Sequence, residues 1–334
     1  MGIGFIMIML AMAVGMPDTL NYYKNNSAKM MMAKYQYVLK STEDKDGNVI
    51  STDNSEAEKF CMKSLLRKTE SFDEEVSVYG IKNESRYVMI DDLNSFEKNE
   101  VYISEPFSDK YGLVVGDTIT LDEKYENKKY DFKIVGVYDK IQSIAIFMSK
   151  KNYASVFDLE KDEFSGYLSD SKITDIDNDN IATVITVKDI MKMCNQLDHS
   201  MGAYMEYFQV LCIFLSAVLI YLLTKLIIEK NENAISMTKI LGYKNTEIAS
   251  LYLMSTTFIL VLIDVVSVGI GVAVMRIAWK IILADYSGWF AFHLEPTGYI
   301  KMFVFVLVGY LIVMVFDFMR IKNIPMEQAL KNVE

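Results

Sequence analysis

The sequence predicts an α-helical membrane domain of four transmembrane helices, the first one short or truncated, with an inserted extracytoplasmic α+β domain on a helical stalk. Three observations predict this class. Three apolar stretches in the second half are each long enough to cross a bilayer, and a shorter one begins the chain. Between them, residues 17–206 are polar overall and contain short runs rich in β-branched and aromatic residues.

The three long apolar stretches are residues 208–228, 251–274 and 300–318. A helix rises about 1.5 Å per residue, so about 20 apolar residues cross a hydrocarbon layer of about 30 Å. These stretches therefore predict transmembrane helices at 207–228, 249–275 and 300–319.

The N-terminal apolar stretch, residues 2–16, is uncharged but reaches only about 22 Å as a helix. A secretory signal peptide is the alternative, but no basic residue precedes the apolar run. We therefore expect residues 1–16 to be a transmembrane helix that lacks its cytoplasmic end. The chain would then be a fragment or one half of a longer protein.

Charge separates the inserted domain from the rest of the chain. The chain carries a net charge of −10, and residues 207–334 contain ten Lys/Arg against nine Asp/Glu. Because residues 1–16 are uncharged, residues 17–206 carry −11. An acidic domain of this kind argues for solubility and against nucleic-acid binding.

Lysine and arginine in the short connections predict the orientation. They favour a cytoplasmic location for residues 229–248 and for the tail at 320–334. Residues 17–206 and the loop at 276–299 are then extracytoplasmic. The expected location is the plasma membrane, crossed several times, with the large domain outside.

The predicted outer loop contains two tryptophans and a tyrosine suited to a membrane interface, Trp279, Tyr286 and Trp289. Aromatic side chains are enriched at the headgroup level of membranes, so a belt there is one interpretation. Scattered surface aromatics are the other.

The inserted domain is expected to begin and end with stalk helices at about 18–40 and 188–206, which continue the adjacent membrane helices. The polar stretch 41–56 has a turn signal at Asp46-Gly47 and predicts an exposed loop. Strands are expected at 76–81, 86–90, 101–104, 117–121, 130–138 and 145–149, with helices at about 55–70 and 149–158.

No motif in the chain predicts catalysis, a cofactor or a metal. The two histidines, His199 and His293, have no second ligand at metal-binding spacing. Neither a GxSxG nor a GxxxxGK[ST] motif is present, which removes support for a hydrolase or a nucleotide-binding loop. Pairing between Cys61 and Cys194 stays open.

Asp264 lies near the middle of the third predicted span, where an ionised carboxylate is costly. It either belongs to a substrate or proton path or forms a hydrogen bond that holds the helices together. The same span places two pairs of small residues four apart, Ser267 with Gly271 and Gly269 with Ala273. Such pairs predict close helix packing, within the chain or against another module.

The connection between the second and third spans is longer than a simple turn requires. It predicts a short helix that stops at Gly242, where a left-handed residue is needed, and a second helix capped by Asn245. Residues 234–241 give the short helix a mostly apolar face. That face is covered either by the inner leaflet or by a cytoplasmic partner.

Four segments in the right order resemble one family. The stretch NAISMTKILGYKNTEIASLYL is similar to the cytoplasmic segment of FtsX/MacB-type ABC transporter permeases. The stretches VYISEPFSDKYGLVVGDTITL, YDFKIVGVYDK and IFMSKKNY resemble the extracytoplasmic domain of that family, and IKNIPMEQALKNVE resembles its tail. MPDTLNYYKNNSAKMMMAKYQYVLK resembles the start of the second half of long two-module permeases, so the chain resembles a C-terminal module.

The resemblance implies a permease module that has no enzymatic activity or cofactor of its own and is driven by a separate cytoplasmic ABC ATPase dimer. Its other implied partners are a second permease module, the lipid bilayer and an extracellular peptide, lipoprotein or cell-wall protein. The implied function is export or mechanotransmission, related to peptides, lipoproteins or antimicrobial peptides. The residues expected to dock the ATPase are Glu232, Ile235, Thr238, Lys239, Leu241 and Gly242.

One departure from the family pattern stands at Ala234, where members of the MacB type often have an acidic residue. A membrane-anchored receptor or adhesin without an ATPase partner is the alternative function, and a membrane enzyme is a third.

Overall fold

The computed structural model describes residues 2–70, 72–159 and 163–325. The last part of the predicted cytoplasmic tail, residues 326–334, lies outside the described residues.

The chain divides into two compact units. The helical unit comprises Met1–Leu20, Leu197–Ala278 and Phe292–Glu334, and the sheet unit comprises Asn21–Gln196 and Trp279–Ala291. Each unit is therefore built from segments that are distant in the sequence.

In chain order the helices and strands are α1 (Gly2–Asn26), β1 (Tyr35–Leu39), β2 (Glu58–Lys68), β3 (Asp73–Ile81), β4 (Glu100–Ser104), α2 (Glu105–Tyr111), β5 (Thr118–Glu123), β6 (Lys129–Tyr138), β7 (Ala145–Ser149), α3 (Lys150–Phe157), β8 (Gly166–Ser169), β9 (Ile181–Thr186), α4 (Val187–Lys230), α5 (Glu232–Ile240), α6 (Asn245–Leu283) and α7 (Pro296–Asn323).

Four helices in the described part of the chain are long and apolar enough to cross a membrane. Their apolar regions are Gly4–Asn26, Tyr204–Lys230, Asn245–Leu283 and Pro296–Asn323. The first is longer than the expected span at 1–16, because α1 continues without a break to Asn26.

Pro17 lies inside α1, where a proline normally interrupts the helix. Proline has no N–H, so the carbonyl of Ala13 loses its usual partner one turn earlier. Gln209 of α4 replaces that partner, because its Nε2 donates to the Ala13 carbonyl at 2.9 Å. Apolar surroundings demand such a replacement, since water cannot supply the missing donor there.

The described residues of the sheet unit form nine strands in the order β3-β7-β4-β6-β5-β2-β8-β1-β9. An additional pairing between β2 and β3 closes six of them into a ring, β3-β7-β4-β6-β5-β2. Two pairs, β3 with β7 and β4 with β6, are parallel, and the other pairings are antiparallel. The ring encloses apolar side chains such as Val78, Ile103, Phe132 and Ile146, which are fully buried.

Two expected helices differ from the structure. The helix expected at 18–40 ends at Asn26, and its last third forms β1 between β8 and β9. The stretch 55–70 forms β2, which pairs with β3 over eight residues. Partners that are distant in sequence decide both cases, since strand formation depends on neighbours more than on local preference.

Smaller differences concern the rest of the sheet unit. Residues 86–90 are turns and irregular backbone rather than a strand. The strands β8 and β9 and the helix α2 were not expected. Cys61 and Cys194 are buried free thiols.

Candidate functional site

The segment between α4 and α6 contains α5 and a tight stop. Gly242 has φ +90°, a conformation in which glycine alone is unstrained. The N–H of Gly242 donates to the Lys239 carbonyl at 3.0 Å, and the N–H of Tyr243 to the Thr238 carbonyl at 3.4 Å. These two bonds form a Schellman motif, which satisfies carbonyls that the end of α5 leaves unpaired.

The next helix begins with a different cap from the one expected. The carbonyl of Lys244 accepts from the N–H groups of Glu247 and Ile248, and the Glu247 carboxylate accepts from the Lys244 N–H at 2.9 Å. Lys244 and Glu247 thus provide the reciprocal bond of a capping box. Asn245 is therefore the first residue of α6 rather than its cap, which is Lys244.

One face of α5 packs inside the helical unit. Ile235 is fully buried, and Ser236 Oγ donates to the Pro325 carbonyl at 3.0 Å. The apolar cluster around Ile235 joins α4, α5 and α6 to the end of α7 and consists of Ile228, Ile235, Ile248, Ala249, Ile321 and Ile324. The segment is therefore attached to three long helices.

Lys239 strengthens this attachment. Its buried Nζ donates to the carbonyls of Ile321, Lys322 and Ile324 at 2.7, 3.1 and 2.8 Å. The last carbonyls of a helix lack partners within the helix and carry the negative end of its dipole, so a cation there is favourable. Burial lowers the pKa of Lys239 from its ordinary value.

The opposite side of α5 is exposed and apolar. The exposed fractions are 57% for Met237, 47% for Ile240, 74% for Leu241 and 57% for Tyr243. We call these four residues the exposed α5 face. An amphipathic helix of this kind has a second apolar side that its own unit does not cover.

The structure places the six residues expected to dock a partner on different sides of α5. Leu241 and Gly242 are exposed, and Glu232 and Thr238 are partly exposed. Ile235 and Lys239 point into the helical unit. Sequence reasoning could have separated these groups, because the buried Ile235, Ser236 and Lys239 follow helical spacing.

Asp264 is fully buried in α6, and neither carboxylate oxygen has a hydrogen-bond partner in the described part of the chain. Asp317 of α7 is fully buried too. Asp317 lies near the C-terminal end of the predicted span at 300–319. Its spacing from the buried residues Val313 and Ile321 shows that it lies on the inner side of α7.

The two pairs of small residues in α6 face different ways. Ser267 and Gly271 are buried, and a Cβ on Gly271 would lie 2.7 Å from Cβ of Met7 in α1. Gly269 and Ala273 are exposed, and a Cβ on Gly269 would have no neighbour within 4 Å. Only the first pair serves packing between α6 and α1.

The three aromatic residues of the predicted outer loop, Trp279, Tyr286 and Trp289, differ in burial. Tyr286 is exposed, whereas Trp279 and Trp289 are buried in the sheet unit. Trp289 belongs to the main apolar core of that unit, and Trp279 Nε1 donates to the Phe290 carbonyl at 2.7 Å. The side chains of the two tryptophans are therefore covered by protein, and Tyr286 alone of the three is exposed.

The described residues contain no group of three or more His, Cys, Asp or Glu side chains placed to hold a metal ion.

Comparisons with known proteins concern both units. The model of the family described as FtsX-like permease C-terminal matches residues 207–326. No curated protein matches the chain. Among solved structures, the extracellular domain of the noncanonic ABC-type transporter YknZ from Gram-positive bacteria is similar at 13% identity, with a TM-score of 0.26. The similarity covers 50% of this chain and 95% of that chain, and a TM-score of this size does not establish a common fold.

The matched region contains α5, α6 and α7 together with the apolar part of α4. The resemblance to FtsX-like permeases is therefore confirmed over residues 207–326, the region that the family model matches.

Proposed function

We propose that this chain is a permease module of an ABC transporter, driven by a separate cytoplasmic ATPase that binds the exposed α5 face. The observation that carries the proposal is the division of α5 into two sides. Ile235 and Lys239 fasten the helix to its own unit, while Met237, Ile240 and Leu241 leave apolar surface uncovered.

The attachment of α5 gives the proposal a mechanism. Because Lys239 holds the end of α7 and the Ile235 cluster joins α4 and α6, a displacement of α5 moves three apolar helices together. Binding energy at the exposed α5 face would then appear as motion of the membrane helices. ATP binding by an ATPase dimer would bring two such modules together, in export or in mechanotransmission without transport.

The orientation follows from the same proposal. The exposed α5 face and the tail lie in the cytoplasm, and the sheet unit lies outside the plasma membrane. Residues 17–206 carry a charge of −11. This negative charge makes a cationic peptide one candidate ligand among peptides, lipoproteins and cell-wall proteins.

The test compares Leu241→Glu with Leu241→Met in the full chain. A buried interfacial leucine replaced by a carboxylate leaves an unpaired charge at the contact, whereas methionine keeps a similar apolar volume. We expect Leu241→Glu to lose most co-purified ATPase and the stimulation of its ATP hydrolysis, and Leu241→Met to retain both.

Membrane insertion and thermal stability of the Leu241→Glu chain should match those of the unsubstituted chain, because Leu241 is mostly exposed. Unchanged ATPase binding in the Leu241→Glu chain would contradict the proposal. It would favour a receptor or adhesin that works without an ATPase.

A further inference from the structure

The end of α6 and most of the loop that follows it belong to the sheet unit. They are residues 279–291, which we call the inter-helix segment. Its Trp289 enters the main apolar core. The indole Nε1 of Trp289 donates to Asp109 Oδ2 at 3.0 Å, and Gln142 Nε2 donates to the Trp289 carbonyl at 2.7 Å.

A buried ion pair lies at the centre of this contact. Glu74 of β3 and Lys110 of α2 pair directly, and each side chain is 1% exposed. Lys110 Nζ also donates to the carbonyls of Tyr286 and Gly288 at 2.7 and 3.1 Å. The Glu74 carboxylate accepts from the Gly288 N–H at 2.9 Å and from Ser287 Oγ at 3.3 Å.

Both charges are thus satisfied by each other and by the inter-helix segment. A buried charge that loses its partner is strongly unfavourable, so such a pair resists opening. Loops held by surface contacts alone open locally at little cost. The ion pair therefore keeps the inter-helix segment in contact with β3 and α2.

A second ion pair holds the start of the same segment. Lys280, near the end of α6, pairs with the carboxylate of Asp109, which also binds the Trp289 indole. The helix α2 thus holds the inter-helix segment at both of its ends through Asp109 and in its middle through Lys110.

The helix α6 connects this contact to α5. It runs without a break from Asn245, three residues after Gly242, to Leu283 inside the inter-helix segment. Thirty-nine helical residues form one continuous element of about 58 Å. The C-terminal residues of α6, from Trp279 on, belong to the sheet unit, and its N-terminal residues follow the exposed α5 face in the chain.

We propose that Glu74 and Lys110 form a latch that fixes the inter-helix segment within the sheet unit. Displacements of α6 and α7 then reach the sheet unit through this segment, in addition to the connections through α1 and α4. The latch stands on the contacts above. Its role in transmission rests on the proposed function.

The chain supplies its own probe, since its two tryptophans, Trp279 and Trp289, both lie in the inter-helix segment. In a Trp279→Phe background, Trp289 reports alone. We expect weak quenching of its fluorescence by acrylamide in the full chain, and a several-fold larger quenching constant after Lys110→Met or Glu74→Gln, because the segment then opens.

The matched control is the neighbouring ion pair between Glu75 and Lys124. Both side chains are solvent-exposed, and Lys124 Nζ lies 2.6 Å from Glu75 Oε1. Glu75→Gln and Lys124→Met should leave the quenching of Trp289 unchanged. Equal quenching in the latch variants and these controls would overturn the latch.

If Lys110→Met and Glu74→Gln unfold the chain, Gly288→Ala is the alternative variant. Gly288 has φ +83°, so a side chain strains the turn whose N–H donates to Glu74 and whose carbonyl accepts from Lys110, and it weakens these bonds without removing either charge. The quenching of Trp289 should rise in this variant also, and absence of a rise in a folded Gly288→Ala chain would count against the proposal.

The role in transmission is tested with the co-purified ATPase and a non-hydrolysable ATP analogue. With the latch intact, quenching of Trp289 should not depend on the nucleotide, because the segment and the sheet unit move as one body. In Lys110→Met it should become nucleotide-dependent. Nucleotide-dependent quenching with the latch intact would overturn the role in transmission.

Leu241→Glu separates the two proposals. It should abolish the response to nucleotide in the Lys110→Met background while leaving the nucleotide-free quenching of Trp289 as it was. If Leu241→Glu has no effect on ATPase binding, the proposed function fails and the latch remains measurable in the chain alone.

Discussion

Two lysines in different units connect segments that are distant in sequence. Lys239 donates to three carbonyls at the end of α7, and Lys110 donates to two carbonyls of the inter-helix segment. Lysine is mostly exposed in proteins, so a buried ammonium group bonded to main-chain oxygens indicates a connection that an apolar side chain cannot replace.

The first residue-scale prediction concerns Lys239. Lys239→Met removes the donor and leaves carbonyls at the end of α7 without partners, which costs about 1–3 kcal/mol per buried unsatisfied group. Thermal unfolding of the purified chain should therefore shift to a lower temperature, and the affinity for the ATPase should fall because α5 is no longer held.

The control is Lys244→Met, which removes a lysine whose side chain is exposed in the next turn. Its unfolding temperature should stay within error of the unsubstituted chain. Equal stability of the Lys239→Met chain and this control would show that the bonds from Lys239 to α7 do not hold α5 in place.

At the scale of elements, α1 shows how a helix tolerates an internal proline. The helix continues through Pro17 because Gln209 supplies from α4 the bond that proline cannot make. The same bond ties α1 to α4, so a local defect in one helix becomes a contact between two helices.

A double-mutant cycle tests this compensation. Gln209→Ala alone should destabilise the chain by about 1 kcal/mol, since a carbonyl in apolar surroundings loses its donor. In a Pro17→Ala background the cost should largely disappear, because the alanine introduced there has the N–H that reaches the Ala13 carbonyl. Thermal unfolding of all four chains measures the coupling, and additive costs would contradict it.

At the scale of the whole molecule, the chain passes between the two units four times. Three of these passages lie inside the continuous helices α1, α4 and α6, and the fourth lies between Ala291 and Phe292. Helical passages replace flexible linkers here, which suits a protein that we propose to transmit motion between its units.

A whole-molecule prediction concerns the exposed small residues of α6, which we propose face a second permease module. Gly269→Leu should leave the isolated chain as stable as before, because an added side chain meets no neighbour there. The assembly of two modules should weaken, as judged by cross-linking in the membrane.

Gly271→Leu is the matched variant at a position where the added Cβ would meet Met7. Forced separation of α6 and α1 should destabilise the isolated chain by about 1–3 kcal/mol. Undiminished assembly in the Gly269→Leu chain would show that this face of α6 meets lipid only.

Elements whose causes are local could be predicted from the sequence. Long apolar runs identify the last three helices that are long and apolar enough to cross a membrane, because length and composition are what define them. The stop of α5 at Gly242 follows from backbone sterics at one residue. The stretch NAISMTKILGYKNTEIASLYL indicated the similarity to FtsX-like permeases, and the family model matches residues 207–326 around it.

Features that depend on distant partners required the folded structure. The stretch at 55–70 forms β2 because β3 and β5 flank it, and Trp289 is buried because it packs in the core of the sheet unit. Lys239 is buried because the end of α7 lies beside it and supplies the carbonyls to which its Nζ donates. The physical reason is common to all three: burial and hydrogen bonding are set by what the fold brings near, and sequence distance does not encode it.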